Sequence, residues 1–177
     1  MTTNDNKDTA AYLNEEFGLQ IGIEEMQKNL EAQFDGMDAL KEIARTLFGS
    51  SSLIAGLFGL LQISNVEIDD AYWTYYVIGF AITILSYIAT VVCSIIVLTP
   101  VTLKRPVVND WGQIYKYFTN KTRVDILRTH LAALIKTIKA NETILANRRK
   151  IINIASIAVA TVVIMILMMS LIPRFTR

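Results

Sequence analysis

Three stretches of this chain contain no charged residue: 46–66, 71–103 and 151–173, of 21, 33 and 23 residues. About 20 apolar residues in a helix cross the hydrocarbon layer of a bilayer. A buried helix of a soluble bundle usually keeps a polar face. Residues 157–171 offer only Thr161 and Ser170 as polar side chains. Composition agrees, with 53% apolar and 19% charged residues, against roughly 25% charged in an average soluble domain. The chain is therefore predicted to be an all-α membrane protein with three transmembrane helices. The spans fall at 46–63, 73–98 and 151–172, and the first two form a hairpin within 46–103.

The charges that remain are unevenly placed. Residues 1–45 hold four basic and ten acidic side chains, net −6, and residues 104–150 hold eleven basic and three acidic, net +8. The connection 64–70 is acidic (Glu67, Asp69, Asp70), and the tail 173–177 carries Arg174 and Arg177. Lys41 and Arg45 precede the first span, Lys104 and Arg105 follow the second, and Arg148, Arg149 and Lys150 precede the third. Basic residues near span ends favour the cytoplasm. That rule puts the N-terminus and 104–150 inside, and 64–70 and the C-terminus outside, in a multi-pass membrane protein. The two tail arginines run against it and are outweighed by the cluster before the third span. Tyr72, Trp73, Tyr75 and Tyr76 would form an outer aromatic belt, and Trp111, Tyr115 and Tyr117 an inner one. No cleavable leader is visible in the polar, acidic residues 1–20, which are expected to be disordered.

Two cytoplasmic helices are predicted. The first, 21–45, carries Ile23, Met26, Leu30, Met37, Leu40 and Ala44 at coiled-coil spacing, with a gap at Gln33. In the second segment, 104–150, Pro100, Pro106 and Asn109-Asp110 favour a loop at the start. Thr122 followed by Asp125 reads as a helix N-cap. From Gln113 to Ile172 there is neither glycine nor proline. One helix over 122–172 follows, its first half a stalk with the seam Val124, Leu127, Leu131, Leu134, Ile138 and Leu145, and a gap at Asn141. Either the two seams cover each other or several subunits build a bundle. The first helix is acidic and the second basic, which suits both arrangements.

Catalytic chemistry is not visible. His130 is a lone histidine, Cys93 a lone cysteine inside a span, and no phosphate-cradling glycine loop or metal-spaced ligand pair occurs. The spans hold no carboxylate for a proton relay. No enzyme, cofactor, metal site or nucleic-acid partner is expected. The spans do carry ordered small residues. Gly49, Ser52, Gly56 and Gly59 share one face of the first, and such faces let helices approach closely. Gly79, Thr83, Ser86, Thr90 and Cys93 form a weakly polar stripe on the second, either an interhelix contact or the lining of a pore in an oligomer. Asn153 and Ser156 start a similar face on the third. Lys104, Arg105, Arg148, Arg149 and Lys150 are candidates for anion contact, with lipid headgroups or with a phosphate-bearing ligand.

The order of features resembles a known family. An Asp/Lys pair (Asp38, Lys41) stands before the first span. The second span ends in Leu98-Thr99-Pro100, with Lys104-Arg105 after it. A helical segment then leads through Asn141-Glu142 and Arg148-Arg149-Lys150 into the third span. This is similar to the small transmembrane effectors of Pycsar and related bacterial anti-phage systems. The chain departs from that pattern where Asp38 and Lys41 are three apart and where Val101 follows Pro100. The resemblance implies antiviral defence: activation by a cyclic nucleotide made during infection, followed by impairment of the inner membrane. The function expected is a homo-oligomeric effector or pore that permeabilises the bilayer on a cytoplasmic signal. The competing class is a non-enzymatic scaffold that docks a partner protein through its cytoplasmic helices.

Overall fold

Three long helices make up nearly all of the structure, a computed structural model that describes residues 4–63, 67–68, 70–106, 121–170 and 174–175. Helix α1 runs Asn4–Ile63, α2 Asp70–Leu98 and α3 Arg123–Ser170. Two short strands, β1 (Glu67–Ile68) and β2 (Arg174–Phe175), pair antiparallel, Glu67 with Phe175 and Ile68 with Arg174. Among the described residues the fold is thus all-helical apart from this pairing. The N-terminal segment departs from expectation: α1 begins at Asn4, where disorder to residue 20 is predicted. Residues 4–17 contain neither glycine nor proline, so nothing local stops the helix that begins downstream from extending backward. The belt expected at Trp111, Tyr115 and Tyr117 lies outside the described residues.

Helix α3 starts where its cap predicts. The Thr122 Oγ1 accepts from the Asp125 backbone N–H at 3.3 Å and donates to Asp125 Oδ2 at 2.6 Å, which satisfies an N–H that no helical carbonyl can reach. α2 ends at Leu98 because Pro100 has no N–H to continue the ladder.

Two helices, Tyr72–Leu98 and Arg123–Ser170, are long and apolar enough to cross a membrane. Their most apolar windows are only 22% and 17% buried, whereas the core helix of a soluble protein would be mostly covered. The uncovered side chains are large and apolar, among them Ile78, Leu85 and Ile95 on α2 and Ile157, Ile164 and Leu167 on α3.

The chain divides into two compact units, Met1–Met37 with Thr102–Leu145, and Asp38–Val101 with Ala146–Arg177. In the first unit α1 and α3 lie side by side. Arg123 Nε is 2.8 Å from Glu16 Oε1, and the Arg128 guanidinium forks onto Glu15. A Cβ on Gly22 would lie 3.4 Å from Leu131 Cδ2, and Gln33 Nε2 donates to the Ile138 carbonyl at 3.1 Å. From Glu15–Arg128 through Gly22–Leu131 to Gln33–Ile138 the residue numbers rise together, so the two helices are parallel in this unit. In the second unit α2 and α3 are antiparallel. Gly79, near the start of α2, meets Met169, near the end of α3, with 3.3 Å from a Cβ position to Met169 Cγ. The end of α2 meets Arg148.

Candidate functional site

The seams decide what is buried. On α1 the predicted members Ile23, Met37, Leu40 and Ala44 are buried and Met26 and Leu30 half-buried. On α3 Leu134 and Leu145 are buried, and Val124, Leu127, Leu131 and Ile138 half-buried. The same three–four spacing then continues through Asn141, Arg148, Ile152, Ala155, Val159, Val162, Ile166 and Met169, each buried or half-buried. A seam of period 3.5 belongs to helices that pack knobs into holes.

The two polar members of the α3 seam are the most informative residues in the chain. Asn141 is fully buried. Its Oδ1 accepts from the Lys104 N–H at 2.8 Å, and its Nδ2 donates to the Lys104 carbonyl at 2.9 Å. One side-chain amide thus pairs with both backbone groups of Lys104, fastening the extended segment after Pro100 to α3 in the first unit. Leu103 is buried beside it, and the Arg105 guanidinium lies 5.0 Å over the Phe34 ring, a cation–π contact.

Arg148 is 7% exposed. Its Nη1 donates to the Ile96 carbonyl and its Nη2 to that of Thr99, the second at 3.1 Å. In a continuing helix the Ile96 carbonyl would accept from the N–H of residue 100. Residue 100 is proline, so Arg148 supplies the missing donor. A cation at a helix C-terminus also opposes the negative end of the macrodipole. Arg148 is therefore committed to α2, whereas Arg149, Lys150, Lys104 and Arg105 are exposed.

The α2 stripe faces inward in its unit. Gly79, Thr83 and Thr90 are buried and Ser86 and Cys93 half-buried. Thr83 Oγ1 donates to the Gly79 carbonyl at 2.8 Å and Thr90 Oγ1 to that of Ser86 at 3.0 Å. Each hydroxyl is satisfied within its own helix, which lets it enter an apolar contact. Ser94 and Val97 complete the buried line, and Ser94 Oγ has no hydrogen-bond partner among the described residues. Asn153 and Ser156 on α3 are exposed and lie off the buried seam.

The first small-residue face is placed differently. Ser51, not Ser52, is the buried serine of α1, and it donates to the Phe48 carbonyl at 3.0 Å. A Cβ on Gly49 or Gly56 would meet nothing within 4 Å among the described residues. Gly59 lies in α1 beyond the side chains described. Asp38 and Lys41 form a local ion pair at 2.7 Å with the carboxylate largely exposed.

Comparison with known protein families, with curated proteins and with solved structures finds no match.

The structure brings the α2 stripe against α3 and separates it from the glycines of α1. Sequence reasoning missed Asn141, Gln33 and Arg148 as seam members because it treated polar residues as gaps. Continuing the three–four spacing through them would have found all three.

These contacts give opposite expectations for two glycines. Gly79→Leu should disrupt the α2–α3 contact, because a Cβ alone already presses on Met169. Gly56→Leu should leave the subunit's own thermal unfolding in detergent unchanged, since no described residue comes within 4 Å of its Cβ position.

Proposed function

We propose that this protein is a three-span, homo-oligomeric membrane effector whose parallel helices α1 and α3 stand in the cytoplasm and whose spans permeabilise the bilayer on a cytoplasmic signal. The observation that carries this reading is the state of α2 and of the second half of α3. Residues 72–98 of α2 and 151–170 of α3 are long, free of charge and covered on one narrow seam only. Such faces are stable in lipid or against other copies. The third span, in the last part of α1, is supported by the charge-free stretch 46–66. An oligomer is supported by the open glycine face at Gly49 and Gly56, the kind of surface that lets a second helix approach in lipid. A cyclic nucleotide is the proposed class of signal, on the strength of the resemblance to Pycsar effectors. Each unit by itself offers exposed cations to a phosphate, Lys104 and Arg105 in the first and Arg149 and Lys150 in the second. The protein is proposed to be non-enzymatic.

Protein in liposomes should release a trapped dye when a cyclic nucleotide is added and retain it otherwise. Release that ignores nucleotides would keep the pore and remove the ligand class. Retention under every condition would remove the effector reading in favour of a scaffold. Gly56→Leu should insert normally but lose both cross-linked oligomer and dye release.

The orientation proposed has the N-terminus inside the cell and the C-terminus outside. Two structural features support α1 and α3 ending on one side of a bilayer: the helices are parallel in the first unit, and the connection after α1 pairs with the tail after α3 in the second. Which side is cytoplasmic is read from the basic residues near the span ends. A reporter active only outside the cytoplasm should be active when fused after Arg177 and silent when inserted at Asn141. The reverse pattern would invert the protein.

A further inference from the structure

In the first unit, α1 and α3 each keep one outer face that the seam does not use. On α1 it carries Phe17 and Ile21, 65% and 46% exposed, and then the exposed carboxylates Glu24 and Glu31. On α3 it carries Ala132 and Ala133, a low floor without bulky side chains, and the exposed ammonium groups of Lys136 and Lys139. Among the described residues none of these four charges has a partner within the chain. The two faces point away from each other across the seam, so one chain cannot bring them together.

The levels match. Gly22 lies beside Leu131 and Gln33 beside Ile138. Ile21 therefore stands within about a turn of Ala132 and Ala133, on their N-terminal side, and Glu31 stands near the height of Lys136 and Lys139 with Glu24 about one to two turns below them. Copies inserted with one orientation in one membrane share that height. We propose that the first units of adjacent copies pack side by side, the outer face of α1 in one copy on the outer face of α3 in the next. Ile21 rests on the alanine floor, and Glu24 and Glu31 face Lys136 and Lys139. The contact joins two different surfaces, so it propagates from copy to copy until a ring closes. Exposed ion pairs stabilise little, but like charges placed together oppose the wrong register. Lys28 on the α1 face and Glu142 beside the α3 face are each of the minority sign, and they leave the α1 face acidic and the α3 face basic. The outer positions of α1, continued along the helix, include Gly49, Ser52 and Gly56, the small-residue face of the proposed span.

This inference rests on the homo-oligomeric membrane reading, and the test separates the two. The full chain is placed in lipid nanodiscs and liposomes with Cys93→Ser as background. Ile21→Cys with Ala133→Cys, oxidised by copper phenanthroline, should give a ladder of covalent multimers, whereas either cysteine alone should give no more than dimer. The pair Glu24→Lys with Glu31→Lys should reduce the native oligomer, as should Lys136→Glu with Lys139→Glu, and all four together should restore it. A wild-type chain that stays monomeric in bilayers would overturn the oligomer reading itself. An oligomeric wild type without the ladder, or without rescue by the fourfold exchange, would overturn this interface alone.

Discussion

Leu134→Asp is expected to separate α1 from α3 while α2 remains packed on the far part of α3. Leu134 is 1% exposed, at the centre of the seam. Truncating a buried leucine costs about 2–5 kcal/mol, and an aspartate there must in addition be desolvated without a partner. Its neighbours along the seam are Leu131 and Ile138, which offer it nothing. Hydrogen exchange over 124–140 should rise steeply, and dye release from liposomes should vanish. Exchange over 152–169 should stay slow, because Gly79, Thr83 and Thr90 bury that face of α2 through different residues. Leu134→Met, which conserves volume, should cost less than about 1.5 kcal/mol. If Leu134→Asp leaves exchange and release unchanged, the α1–α3 seam plays no part in either.

The second large effect is expected at Arg148. Arg148→Met removes both donors from the carbonyls of Ile96 and Thr99. A buried carbonyl left without a donor costs roughly 1–3 kcal/mol, and no backbone N–H at Pro100 can take over. The end of α2 should fray, seen as faster proteolysis at 99–106 and a lower unfolding temperature in detergent. Lysine carries the same charge but not the two-pronged geometry, so Arg148→Lys should rescue only in part. The adjacent Arg149→Met is the control. Arg149 is exposed, so its loss should spare the fold and act only on the anion contact proposed for this cluster. Equal effects from both substitutions would show that charge near the membrane, and not the contact with α2, is what matters at this cluster.

Much of this arrangement is legible in the sequence for simple reasons. A helix able to cross lipid must satisfy its backbone internally and exclude charge, and residues 72–98 of α2 and 151–170 of α3, long and apolar enough to do so, are already visible in the sequence as runs without a charge. The absence of glycine and proline from Gln113 to Ile172 predicts one uninterrupted helix, and α3 is a single helix over Arg123–Ser170. The period of the apolar residues places Leu134, Leu145, Met37 and Ala44 on buried faces before any fold is known. The helical start at Asn4 was not legible, because a polar composition argues against a core and not against a helix.

What the sequence determined by itself is the set of properties that repeat along one helix: length, apolarity, period and caps. What only the tertiary structure decided is the fate of polar residues that fall on the period. Asn141 read alone is an interruption, and it is buried because the Lys104 backbone, 37 residues away, supplies a donor and an acceptor. Arg148 read alone is one of three interfacial cations, and it turns inward because Pro100 leaves the Ile96 carbonyl without a donor. Gly79 and Gly56 read alone are equivalent small residues, yet Met169 presses on the Cβ position of the first and no described residue comes within 4 Å of that of the second. A polar or small side chain is buried or exposed according to what a distant segment brings to it, and local periodicity carries no information about that segment.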